Sequence, residues 1–176
     1  LIVGLGDSVA SGEGNPDVYV RNPQGRQIPL LTNSPAVEAS PTCSPDGTRC
    51  VAILEEPQAD ARAWIVYTAT GAALPIGSPG VRVLHAAFSP DGARLATVGS
   101  DMLVRLWAGA DFHPEDVFRG SFAPRKVLWS ADGRRLVTPA LGATVSVWYA
   151  GARPDVYSLR VSGHPVARAR FAPDGE

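Results

Sequence analysis

The sequence predicts an all-β fold: a β-propeller segment of about four four-stranded blades, each about 40–45 residues long. Three observations predict it. A turn pattern occurs four times, as Cys43-Ser44-Pro45-Asp46-Gly47, Phe88-Ser89-Pro90-Asp91-Gly92, Trp129-Ser130-Ala131-Asp132-Gly133 and Phe171-Ala172-Pro173-Asp174-Gly175. The aspartates of successive copies stand 45, 41 and 42 residues apart, which is the period of a propeller blade. Finally, 18 Gly and 16 Pro are spread along a chain of 176 residues that is 45% hydrophobic. That composition suits many short strands joined by tight turns, and no stretch sustains a 3.6-residue apolar period.

Each repeat reads as strand A, turn, strand B, loop, strand C, turn, strand D. Strand A ends on the apolar residue before the turn. In the turn, Pro presets φ, Asp can bond nearby amides and Gly takes the positive φ. Strand B follows as Cys50–Leu54, Leu95–Val98 and Leu136–Thr138. Strand C is Ala63–Tyr67, Leu103–Trp107 and Thr144–Trp148, each soon followed by Gly71, Gly109 or Gly151. Strand D is Ala73–Ile76, Asp116–Phe118 and Asp155–Val161. The expected division is a partial blade over 1–36, blades over 37–80, 81–121 and 122–162, and the first strand of a further blade over 163–176. A fragment of a larger propeller, its remaining blades supplied by the same chain, is expected over a closed four-bladed ring.

The residues resemble two related propeller families of bacterial type. Gly14-Asn15-Pro16-Asp17-Val18-Tyr19-Val20-Arg21-Asn22, with Leu31-Thr32-Asn33 and Ser40 to Gly47, resembles TolB-like repeats. Ala86 to Gly92, continuing to Val104-Arg105-Leu106-Trp107, resembles a WD repeat, and Gly163-His164 stands where that family has its Gly-His pair. The resemblance implies a buried His–Ser/Thr–Asp–Trp hydrogen-bond set in each blade. Asp101 and Trp107 match two of its members, with Trp148 in the next repeat. The His position reads Gly80-Val81 and Ser121-Phe122 in two repeats, and the WD dipeptide is Trp107-Ala108 and Trp148-Tyr149. The repeats are therefore degenerate, and apolar packing is expected to carry most of their stability.

One stretch resembles an enzyme. Leu5-Gly6-Asp7-Ser8 with Gly12-Glu13-Gly14 is similar to the first block of SGNH hydrolases, which would make Ser8 a nucleophile. A serine nucleophile needs a base and an oxyanion donor. The family's Gly-x-Asn-Asp and Asp-x-x-His blocks are both missing: Arg82, Ala110 and Val161 stand three residues before the three histidines. The repeat register instead aligns Asp7 with Asp101 and puts the motif in a strand B to strand C turn. No catalytic residue is assigned.

The same reasoning assigns no metal and no cofactor. His85, His113 and His164 show no ligand spacing, and Asp46, Asp91, Asp132 and Asp174 recur one per blade beside Gly47, Gly92, Gly133 and Gly175, as turn residues do. Net charge is −1 without a Lys/Arg run, so neither nucleic acid nor an anionic membrane is an expected partner, and no apolar run is long enough for membrane insertion as a helix. Cys43 and Cys50 replace the Phe88–Leu95 and Trp129–Leu136 pairs. A two- or four-residue turn would set them face to face, within reach of a disulfide; a three-residue turn with a bulge would set Cys43 opposite Arg49. The expected function is a scaffold that binds a protein or peptide. The alternative is an accessory propeller of a larger enzyme, a peptidase or signalling kinase. TolB-like repeats suit the periplasm or envelope, and WD repeats the cytoplasm.

Overall fold

A computed structural model of the chain describes residues 2–7, 16–21, 27–31, 37–55, 62–119, 124–139, 144–151, 156–160 and 171–172. The described residues form strands and no helix. Strands β1 (Ile2–Asp7), β2 (Pro16–Arg21) and β3 (Gln27–Leu31) make a three-stranded sheet. Three four-stranded sheets follow: β4 (Val37–Cys43) to β5 (Arg49–Glu55), β6 (Arg62–Tyr67) and β7 (Ala73–Ile76); β8 (Val83–Phe88) to β9 (Arg94–Gly99), β10 (Leu103–Ala108) and β11 (His113–Arg119); and β12 (Leu128–Trp129) to β13 (Arg135–Pro139), β14 (Thr144–Tyr149) and β15 (Val156–Arg160). Each is an antiparallel meander in chain order, and the B, C and D segments read from the repeat fall on these strands.

The chain divides into two compact units, Leu1–Val83 and Leu84–Glu176. In the first, β4 approaches both β1 and β2. Its buried residues include Cys50, Val51, Ala52 and Ile53 in unbroken succession, then Ala63, Ile65 and Val66. A strand buried on both faces loses the polar–apolar alternation of a half-exposed one. The outer strand β7 recovers that alternation, with Ile76 buried and Ala73 and Pro75 exposed. Prolines keep to places where a missing N–H is tolerated. Pro75 and Pro29 lie on edge strands, Pro16 begins β2, and Pro41 coincides with the register shift between Ala39 and Thr42 in β4.

In the second unit one core joins the β8–β11 and β12–β15 sheets. Ala96, Val98, Val104, Leu106 and Phe118 meet Val127, Leu136, Trp148 and Ala150, with Ala87 and Trp129 packed against them. The rings of Phe118 and Trp148 lie 5.4 Å apart, tilted. Each fully buried Leu, Val or Phe side chain contributes about 1.5–3 kcal/mol, so the face between the two sheets is the main stabilising feature of this unit.

Candidate functional site

In an antiparallel meander the A–B and C–D connections share one end of the sheet, and the B–C and D–A connections share the other.

The A–B turns form a closed network, built three times. Ser44, Ser89 and Ser130 each give their hydroxyl proton to Asp46, Asp91 or Asp132 at 2.5–2.6 Å. The same hydroxyl oxygen accepts the amide of Arg49, Arg94 or Arg135 at 2.9–3.1 Å. Each aspartate also accepts an amide two residues on, from Thr48, Ala93 or Arg134. Gly47, Gly92 and Gly133 close each turn on the serine carbonyl with φ of 69°, 71° and 68°, a conformation that favours glycine. The serine hydroxyl first, then the turn amide, hold Asp91 and Asp132 below the usual carboxylate range, and the same causes lower Asp46 to about 2. The serines' part was missed in the sequence, although they recur in phase; Ala172 takes their place in the fourth copy.

The Ser44 amide donates to the Arg49 carbonyl, so residues 45–48 form a four-residue turn. Cys43 therefore faces Cys50 in the β4–β5 register, and the two are joined as a disulfide with Cα atoms 3.9 Å apart.

Inside the sheets, Trp107 Nε1 donates to Thr97 Oγ1 at 2.9 Å and Trp148 Nε1 to Thr138 Oγ1 at 3.0 Å. Degenerate repeats thus keep the indole–hydroxyl half of a blade brace. Asp101 does something else. Arg105 clamps its carboxylate with two guanidinium nitrogens and the Leu103 amide adds a bond, which together lower its pKa, Arg105 first. In the β4–β7 sheet Cys50 pairs with Val66, where Leu95 and Leu136 pair with Trp107 and Trp148. Ala52 takes the threonine place there, so that sheet lacks the indole–threonine bond and carries the disulfide.

Met102, at the tip of the β9–β10 loop, is 48% exposed and held at φ 66°. Leu84, at the start of β8, is also exposed. His85 Nδ1 is buried with no hydrogen-bond partner among the described residues, and Arg125 and Lys126 are exposed. In the first unit, Arg62, Pro75, Ile76, Gly77, Ser78 and Pro79 line a cavity of about 170 Å³, smaller than the roughly 300–1,000 Å³ usual for small-molecule sites. Ser8, His164, Asp174 and Gly175 lie outside the described residues. Among the described residues no group of His, Cys, Asp and Glu is placed to hold a metal ion.

Residues 76–108 match the WD domain, G-beta repeat family. The match runs from the last residue of β7 to the last of β10, and it supports a WD-repeat relationship. With the four-stranded antiparallel sheets, it makes the fold an all-β propeller segment. Repeats of this family generally act as protein-interaction scaffolds and are typically non-catalytic. No curated protein matches the chain.

Proposed function

We propose that this chain is a non-catalytic scaffold that holds a protein or peptide partner at the B–C and D–A end of its blades. The observation that carries the reading is the exposed Met102, held at positive φ in the β9–β10 connection. At the turn end, serine hydroxyls, aspartate carboxylates and backbone amides satisfy one another. At the other end an exposed Met102, in a backbone conformation that costs about 1–2 kcal/mol for a non-glycine residue, crowns a loop anchored by the Asp101–Arg105 pair. Strain kept at an exposed apolar residue favours contact over stability. Methionine suits that role, being unbranched and polarizable. The sequence around Ser8 lacks the companion blocks an ester hydrolase needs, which also favours binding over catalysis.

A selection from a random peptide library on the immobilised full chain, followed by calorimetry with an enriched peptide, tests this. Saturable binding that Met102→Asp weakens, and that Arg134→Glu at the turn end leaves intact, is the expected result. Failure to enrich any peptide, or binding lost only with Arg134→Glu, would overturn the proposal.

A further inference from the structure

The sequence carries two Cys and one Met. Cys43 and Cys50 are joined to each other, and no thiol is free. The thioether of Met102 is therefore the one sulfur of the sequence open to a mild two-electron oxidant. It also belongs to the most exposed of the three residues. Met102 is 48% exposed, while Cys50 is buried and Cys43 half-buried.

The β9–β10 loop holds this side chain on a fixed base. The Met102 amide donates to the Gly99 carbonyl at 3.1 Å. Beside it, the Asp101 carboxylate accepts the Leu103 amide and is clamped by Arg105. Val98 and Val104, paired at the foot of the loop, are fully buried. They belong, with Leu106, to the core shared with the next sheet, and Met102 has no place in that core. A chemical change at the sulfur therefore alters what the loop presents and leaves the packing beneath it untouched.

We infer that Met102 is an oxidation site, and that its sulfoxide switches the partner contact off. The oxidant is a peroxide. A sulfur lone pair attacks one peroxide oxygen, an S–O bond forms and the O–O bond breaks. Hydrogen peroxide leaves as water, so sulfur loses the two electrons that the peroxide gains. The product is polar and chiral where the thioether was apolar and flexible. Its oxygen must shed water to enter an apolar contact, and that desolvation opposes binding. Thiol-dependent sulfoxide reductases, one for each epimer, return the thioether, and the oxygen leaves as water. The disulfide is already oxidised and does not compete for the peroxide. Leucine at this position would offer a similar apolar surface with no such response. The inference rests on the scaffold reading and adds a chemical control to its contact.

The test treats the full chain with hydrogen peroxide, then reads its mass, its peptide map, its Tm and its affinity for an enriched peptide. One added oxygen on Met102 and an unchanged Tm are expected. Affinity should fall about tenfold, the cost of desolvating one polar group. Both reductases together should restore mass and affinity. In Met102→Leu, whatever its starting affinity, peroxide should change neither. Bound peptide should slow the oxidation of the parent chain. No oxygen on Met102 under conditions that oxidise free methionine would overturn the switch. So would a sulfoxide that binds as tightly as the thioether, or an equal loss of affinity in peroxide-treated Met102→Leu. Each of those results leaves the scaffold reading standing. No enriched peptide at all would remove the scaffold reading, and the switch with it.

Discussion

Trp148 donates its indole proton to Thr138 across the β13–β14 pair at 3.0 Å, both side chains buried. Trp107 and Thr97 repeat the arrangement in the preceding sheet. The bond ties strand B to strand C from within the core, where no water can replace a lost partner.

Thr138→Val keeps the shape and removes the acceptor, leaving a buried indole N–H unpaired. The expected loss is about 1–3 kcal/mol in urea unfolding, with Thr138→Ser much milder. Equal effects from Val and Ser would mean that shape, not the hydrogen bond, is what the sheet requires.

The turn aspartates give the chain an acid-sensitive component. Their folded pKa values are depressed, so they contribute stability that is fully present above the unfolded value, near 3.8, and is lost as pH falls through the folded value, about 2 for Asp46. Thermal melts between about pH 4 and 2 should show a fall in Tm that Asp46→Asn partly flattens. The Ser89→Ala variant should move the Asp91 part of that fall to higher pH, since the Ser89 hydroxyl is the largest cause of its shift.

Met102→Gly should raise stability by about 1 kcal/mol, because glycine accepts the positive φ and an exposed side chain gives up little packing. The same variant should bind an enriched peptide less tightly. Chemical denaturation and calorimetry on one preparation check both directions.

Protein isolated without reductant should contain no free thiol, because Cys43 and Cys50 are paired. Reduction should cost about 2 kcal/mol, as expected for a short closed loop. Two free thiols in protein taken directly from its host would point to a reducing compartment instead of an oxidising one.

Much of the fold was legible because the repeat marks its own turns. Asp46, Asp91 and Asp132 are in phase, and the strands between them follow from β-rich runs bounded by glycine. The bracing residues were harder to read. Thr97 and Thr138 sit in apolar strands where threonine is an ordinary β-former, so only their shared offset from Trp107 and Trp148 hints at a bond. Register brought Cys43 near Cys50, but the answer depended on turn length, which Ser44 decides through its bonds to Arg49. The bond from Trp129 Nε1 to the Ala87 carbonyl was hidden because it joins two repeats, while sequence windows show one repeat at a time.

Hydrogen exchange on the full chain, with and without an enriched peptide, tests the central claim most directly. The account predicts slowed exchange at Val83–His85, Ser100–Leu103 and Arg125–Val127, with the turns at Ser89–Arg94 and Ser130–Arg135 unchanged. Protection concentrated at those turns, with the Met102 loop unaffected, would contradict it.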